Sequence, residues 1–332
     1  MPWKDRFRRI RTIDAHTGGE PLRLVVDGAP KLEGRSILEK RAFMKRHHDA
    51  FRTTLMFEPR GHADMYGAVL TEPETEDGDY GVLFLHNEGY STMCGHGIIA
   101  LATILLETGM RAPDGEETVI QFDTPAGRVT ATARSAHGRV ESVSFLNVPS
   151  FVYRRGVKAQ WLSWDIAFGG AFYAIGAFPD GFNLTSDAAH RLIAYGRRLK
   201  ERIASRTPIV HPRETDLGFL YGVIFTGPAA DPRHHSRNVC IFADGEVDRS
   251  PTGTGVSARA ALLYANQEIG LKEPIVIESI LGTTFTVEVV EEVRLGDYDA
   301  VIPKVTGSAF LTGENEFLID PDDPLAGGFL VR

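Results

Sequence analysis

The chain is poor in cysteine, has no long apolar run and carries no basic excess, and each shortage removes a class of function. Two cysteines in 332 residues cannot form a disulfide framework, and a chain long enough for two ordinary cores does not need one. No uninterrupted apolar stretch approaches membrane-spanning length. A formal charge of −8 argues against a broad nucleic-acid or membrane surface, because both require clustered basic residues. No Gly-Lys-Ser/Thr follows either glycine turn described below, so a Walker phosphate loop fails. His47-His48 and His234-His235 have no Cys or carboxylate at metal-ligand spacing and are expected at the surface with no metal bound. Asp320 to Asp323 lacks the remaining positions of a calcium loop and reads as a proline-bounded turn. The opening Met1 to Ile10 is charged with no apolar core after it, so a secretory signal is not expected and a reducing cytoplasm is the expected compartment. What remains is a globular composition, 43% apolar and 24% charged.

One of the two cysteines lies in Ser91-Thr-Met-Cys-Gly-His-Gly-Ile-Ile-Ala100, ahead of an apolar helical run from Ile98 to Glu107. A thiol at a helix N-terminus meets unpaired backbone N–H groups and the positive end of the helix dipole. Both favour a thiolate or a bound carboxylate. The other, Cys240, lies inside an apolar strand and reads as core.

The rest of the chain reads as alternating strands and helices. Arg11 to Glu20 enters a glycine turn and Leu22 to Val26 leaves it. Ile37 to Arg52 reads as one amphipathic helix. Val82 to Leu85 is a buried strand, and Val119 to Ala133 with Val140 to Phe145 forms a strand pair bent at Pro125-Ala-Gly127. Ser186 to Ser205 is an amphipathic helix capped by Thr185 or Ser186. Tyr221 to Phe225 and Asn238 to Phe242 are strands, Pro251 to Gln267 is a glycine turn opening a helix, and Ile275 to Glu291 is strand-rich.

The halves repeat. Asp14…Gly18-Gly19 returns as Asp165…Gly169-Gly170, Cys94-Gly-His-Gly as Thr252-Gly-Thr-Gly, and the turn at Gly127 as the turn at Gly282. The offsets are 151, 158 and 155 residues. This near-constant spacing predicts two copies of one α/β unit facing each other across a cleft, with two helix N-termini converging on one small ligand. Each turn also fits Gly-x-Gly-x-x-Ala. A dinucleotide site, however, requires a strand running straight into the first glycine, and Glu246 to Pro251 intervene in the second copy. A small anion such as an amino-acid carboxylate, shared by the N–H groups around Gly95-His96 and Gly253-Thr254, suits the pair better. Asp248 is then placed for the ammonium, although the same residue could simply serve the turn.

Met93-Cys-Gly-His-Gly97, Asp248-Arg-Ser-Pro-Thr-Gly-Thr-Gly255, Asp14-Ala-His-Thr-Gly-Gly-Glu-Pro21, Gly61-His-Ala-Asp-Met-Tyr-Gly67 and the closing Gly307 to Gly313 with Asp320 to Pro324 together resemble the proline racemase family over nearly the whole chain. The family includes hydroxyproline epimerases and trans-3-hydroxy-L-proline dehydratases. The resemblance implies a diaminopimelate-epimerase-like α/β fold of two pseudo-symmetric domains, each a sheet wrapped round a central helix. Residues 1–150 with 305–332 would form one domain and 151–304 the other. It further implies a cofactor-free enzyme, commonly a homodimer, whose partner is a small amino-acid substrate held between the domains. Racemases of this family resemble one another in using two cysteines, one on each face of Cα. Here Cys94 occupies the first position, and Thr252 stands where a racemase shows the second cysteine. A threonine hydroxyl is too weakly acidic to replace a thiolate as base. The Cys94/Thr252 pair therefore resembles the dehydratase branch, with Asp248 holding the ring nitrogen and Gly95, His96, Thr252, Gly253 and Thr254 lining the substrate. The stereochemistry agrees. In trans-3-hydroxy-L-proline the Cα hydrogen and the 3-hydroxyl share a face, so one group there can take the proton and return it, directly or through a water, to the departing oxygen. An epimerase or racemase that tolerates Thr252 is the nearest alternative, and a non-catalytic hydroxyproline-binding protein is a further one.

Overall fold

The computed structural model describes residues 2–159, 162–178 and 183–331. Its strands fall in two runs with the same order of pairings. The first run is β1 (Arg8–Thr17), β2 (Glu20–Asp27), β3 (Tyr66–Thr71), β4 (Tyr80–His86), β5 (Gly89–Ser91), β6 (Glu117–Thr124), β7 (Gly127–Ala136) and β8 (Arg139–Leu146). The second is β9 (Ser150–Ala159), β10 (Leu162–Phe168), β11 (Phe172–Ala177), β12 (Leu220–Gly227), β13 (Ser236–Phe242), β14 (Glu246–Val247), β15 (Ile275–Glu278), β16 (Thr284–Leu295) and β17 (Tyr298–Gly307), with β18 (Ala309–Ile319) closing the chain. β1–β2 is antiparallel, β2–β3 parallel, β3–β4 and β4–β5 antiparallel, β4–β6 parallel and β6–β7 antiparallel. The same sequence of directions recurs in β10–β11, β11–β12, β12–β13, β13–β14, β13–β15 and β15–β16. The repeated landmarks of the sequence thus occupy equivalent places in the two runs.

β17 ties the runs together. Ala300 and Val301 pair with β9, while Lys304 to Gly307 pair with β8. β18 then returns to pair antiparallel with β1 along its length. Because each run contains parallel pairs, its sheet needs helical crossovers and apolar cover on its faces.

That cover comes, among the described residues, from the α-helices α1 (Ile37–His47), α2 (Asp49–Met56), α3 (Gly95–Glu107), α4 (Ala189–Ala204) and α5 (Gly253–Ala265). α3 is buried from Gly95 to Leu106, and α5 from Gly253 to Leu263. A helix buried all round must be enclosed by other elements. Strands β1, β2, β7, β8, β17 and β18 enclose α3, and β9, β10, β11, β16 and β17 enclose α5. α4 is amphipathic and lays Leu192, Gly196, Leu199 and Ile203 against β12 and β13. Among the described residues no helix is long and apolar enough to cross a membrane.

Three local expectations change. The helix expected over Ile37 to Arg52 breaks at His48, whose φ of −136° and ψ of 23° leave the helical region. Ser36 with Glu39 forms a capping box at its start, and the break lets α2 turn Phe51, Leu55 and Met56 inward. Val119 to Ala133 is not one bent strand but the hairpin β6–β7, with Pro125 and Ala126 between the two strands. The helix expected from Ser186 opens as a 3₁₀ turn, Ser186–Ala188, before α4 begins.

Candidate active site

The two glycine turns bring the N-termini of α3 and α5 into direct contact. A Cβ added to Gly95 would lie 2.5 Å from the Gly253 Cα, and one added to Gly253 would lie 2.5 Å from the Gly95 Cα. Only glycine at both positions permits this approach, since real Cβ atoms do not come so close. The Gly-Gly hairpin tips complete the junction, each docking across it. Thr283 Oγ1 donates to the Gly18 carbonyl at 2.7 Å, and Thr92 Oγ1 donates to the Gly170 carbonyl at 2.7 Å.

At this junction lies a cavity of about 20 Å³ lined by Tyr66, Met93, Cys94, Gly95, His96, Tyr173, Tyr221, Phe242, Asp248, Thr252, Gly253 and Thr254. All seven residues expected at the site from sequence are among them. The volume suits about one water molecule. Gly95, His96, Gly253 and Thr254 supply the first N–H groups of the two helices, which lack intrahelical partners and can receive an anion.

Cys94 is the N-cap of α3, and its sulfur accepts the Gly97 N–H at 3.2 Å. The His96 ring lies beside it, with Nδ1 at 3.3 Å from the sulfur. Burial holds the His96 imidazole neutral, down to about 3, opposed by a hydrogen bond to the Pro21 carbonyl. An imidazolium–thiolate pair is thereby disfavoured. The sequence-based expectation of a lowered thiol pKa is corrected here. Burial raises the Cys94 thiol well above its ordinary range, outweighing the Gly97 N–H and the nearby Tyr66 hydroxyl, which both favour the thiolate.

Thr252, at the start of α5, is built differently. Its φ of 70° and ψ of 96° are rare for a β-branched residue. Its methyl group, not its hydroxyl, faces the helix, with Cγ2 2.9 Å from where a Gly255 Cβ would stand. Oγ1 is buried without a hydrogen-bond partner, although it lies near enough to Asp248 and Cys240 to favour their charged forms. Cys94 caps its helix; Thr252 keeps its hydroxyl unengaged.

Asp248 serves the turn as well as the cavity. Oδ1 accepts the Ser250 N–H at 2.8 Å, and burial raises its carboxyl to about 6. Thr254 Oγ1 pairs with the Tyr173 hydroxyl at 2.6 Å. Cys240 is fully buried in β13, as expected, and burial raises its thiol. His234 Nδ1 lies 2.9 Å from Glu278 Oε1, and among the described residues no three His, Cys, Asp or Glu side chains are grouped as metal ligands would be.

Sequence reasoning left Glu20, Tyr173, Tyr221 and Phe242 unassigned. Glu20 is fully buried, and its Oε2 accepts the Arg249 N–H at 2.8 Å, bracing the segment that carries Asp248. Burial and the neighbouring Asp248 raise its carboxyl well above the usual range despite Arg249. Glu20→Gln retains a carbonyl acceptor and should be near neutral. Glu20→Ala strands the Arg249 N–H and leaves a void, lowering unfolding free energy by about 2–4 kcal/mol in denaturant titrations.

The sequence profile of the proline racemase family matches residues 12–330. A trans-3-hydroxy-L-proline dehydratase of Colwellia psychrerythraea is 48% identical, covering 99% of this chain and 94% of its own. A protein of Burkholderia multivorans described as a 3-hydroxyproline 2-epimerase is 43% identical, with 98% and 99% covered. The crystal structure of a hydroxyproline epimerase from Agrobacterium vitis with bound trans-4-hydroxy-L-proline superimposes with a TM-score of 0.92 at 31% identity, covering 98% of this chain and 96% of that one. With a family match over nearly all its length and relatives of this identity, the chain belongs to the proline racemase family.

Proposed function

We propose that the protein is a hydro-lyase that dehydrates trans-3-hydroxy-L-proline to pyrroline-2-carboxylate without a cofactor, using Cys94 as its one base. The observation that carries this reading is the asymmetry of the two helix starts: a thiol at one, a threonine hydroxyl at the other. Relatives such as the Colwellia protein carry the dehydratase name at close to half identity.

The helix N–H groups of Gly95, His96, Gly253 and Thr254 hold the substrate carboxylate and stabilise it as it gains enediolate character. Asp248 holds the ring ammonium. Cys94 thiolate takes the Cα proton, the C3–O bond breaks, and the proton leaves with that oxygen as water. The enamine formed tautomerises to the imine. Thr252 fills the opposite face and offers the substrate a hydrogen bond. The reading divides the chain into one domain of residues 1–150 with 305–332 and another of 151–304, the substrate lying between them. The repeated strand order and the return of β18 to β1 support this division. It also includes a homodimer, which light scattering on the eluting protein measures.

The test is a panel of L-proline, trans-4-hydroxy-L-proline and trans-3-hydroxy-L-proline, assayed for imine and for epimer. Imine from the 3-hydroxy compound alone is expected; an epimer from any member, without imine, would favour the racemase reading.

The pH profile follows from Asp248. Its carboxylate must be ionised to pair with the ammonium, so kcat/KM should fall as pH drops through about 6. Above that limb the rate should keep rising with pH, because burial keeps Cys94 largely a thiol. A log kcat/KM that rises with one unchanged slope from pH 5 to 7, with no steeper limb below about 6, would remove Asp248 from the binding role.

A further inference from the structure

Dehydration needs a proton delivered to the departing oxygen, and the cavity wall contains a hydroxyl chain suited to that delivery. The Tyr66 hydroxyl is hydrogen-bonded to Ser91 Oγ, and Ser91 Oγ to the Tyr221 hydroxyl at 2.7 Å. Both tyrosines line the cavity beside Cys94, while Ser91 stands behind them. All three are buried, with Ser91 1% exposed. Tyr66 stands on the Cys94 side of the site, its ring edge-on to His96 at 4.8 Å between centroids. Its hydroxyl is close enough to the sulfur to favour the thiolate. The chain is walled by Phe84 and Phe242, and His86 stacks on Tyr66 at 5.7 Å. Burial keeps both phenols protonated, so each can pass a proton only by receiving another. A binding role alone would need one hydroxyl; three in series, running from a tyrosine that shares the cavity with the base to a second point on its wall, form a conduit.

We propose that Tyr66, Ser91 and Tyr221 carry the proton from Cys94 to the leaving 3-hydroxyl, with Tyr221 as the final donor. This rests on the dehydratase reading above. The Cα–H bond breaks as S–H forms on Cys94, and the C–H electron pair becomes the Cα–C3 π bond as the C3–O pair departs with oxygen. Tyr221 gives its proton to that oxygen, Ser91 reprotonates Tyr221, Tyr66 reprotonates Ser91, and Cys94 reprotonates Tyr66. One water is released, the thiolate is regenerated, and no other reactant is needed.

The test compares two leaving groups in Tyr66→Phe, Ser91→Ala and Tyr221→Phe. Hydroxide needs a proton to leave, whereas fluoride needs little help. Turnover of trans-3-hydroxy-L-proline, read as imine, should fall about a hundredfold in each variant, the usual scale of a lost general acid. Fluoride release from trans-3-fluoro-L-proline should stay within about threefold of wild type in Ser91→Ala and Tyr221→Phe, which also shows that these variants are folded and retain Cys94 in place. In Tyr66→Phe it should fall as well, by less than with the hydroxy substrate, because the lost hydroxyl also favours the thiolate. Parallel loss with both substrates in Ser91→Ala or Tyr221→Phe, or Ser91→Ala behaving as wild type with the hydroxy substrate, would overturn the relay. A wild-type protein that forms no imine from trans-3-hydroxy-L-proline would instead overturn the dehydratase reading itself.

Discussion

Serine at position 94 is expected to lower the dehydration rate at least about a thousandfold while leaving substrate affinity within a few-fold. The serine Oγ can accept the Gly97 N–H that the sulfur accepts now at 3.2 Å, so the cap of α3 and the anion-binding N–H groups beside it persist. What disappears is a side chain able to reach its anion, since an aliphatic hydroxyl is far less acidic than a thiol. Imine formation measured beside calorimetric titration of the substrate separates the two effects. A variant that keeps more than about a tenth of the wild-type rate would show that Cys94 is not the base.

Thr252→Cys should create an activity instead of removing one. Thr252 Oγ1 is buried and unpartnered, next to Asp248 and across the helix junction from Cys94. A thiol placed there supplies a second base and acid on the opposite face of Cα, the requirement for inversion. The substitution also removes a β-branch from a backbone at φ 70°, so no added strain opposes it. Conversion of trans-4-hydroxy-L-proline to its cis-D epimer should rise at least about tenfold over wild type, read by chiral chromatography. No gain would place the distinction between the two chemistries in other cavity residues, Tyr221 and Phe242 first.

The helix starts were legible in the sequence because each is local. Cys94-Gly-His-Gly97 and Thr252-Gly-Thr-Gly255 announce a turn, a cap and a helix within a few residues, and their repeat at matched offsets announces a shared junction. The contact of Gly95 with Gly253 fits that repeat closely. The tyrosine chain was not legible, because Tyr66, Ser91 and Tyr221 come from β3, β5 and β12 and meet only when the two runs of strands face each other. Glu20 belongs to a family-like segment, yet its partner Arg249 lies far along the chain. Two other features depend on burial rather than residue type. The helix N-terminus at Cys94 suggested a lowered thiol pKa, and enclosure reverses that direction. The charged run Lys45 to His48 continued a helical pattern, yet the chain breaks there to turn Phe51, Leu55 and Met56 onto the core.

The central claim is that one thiol serves one face of the substrate, so that elimination replaces inversion. Proton NMR of trans-3-hydroxy-L-proline incubated with the protein in deuterated water tests it most directly. The prediction is loss of the substrate signals into pyrroline-2-carboxylate with no cis-3-hydroxy-D-proline at any time. Build-up of that epimer carrying deuterium at Cα, without loss of water, would show that a second base works opposite Cys94 and would contradict the account.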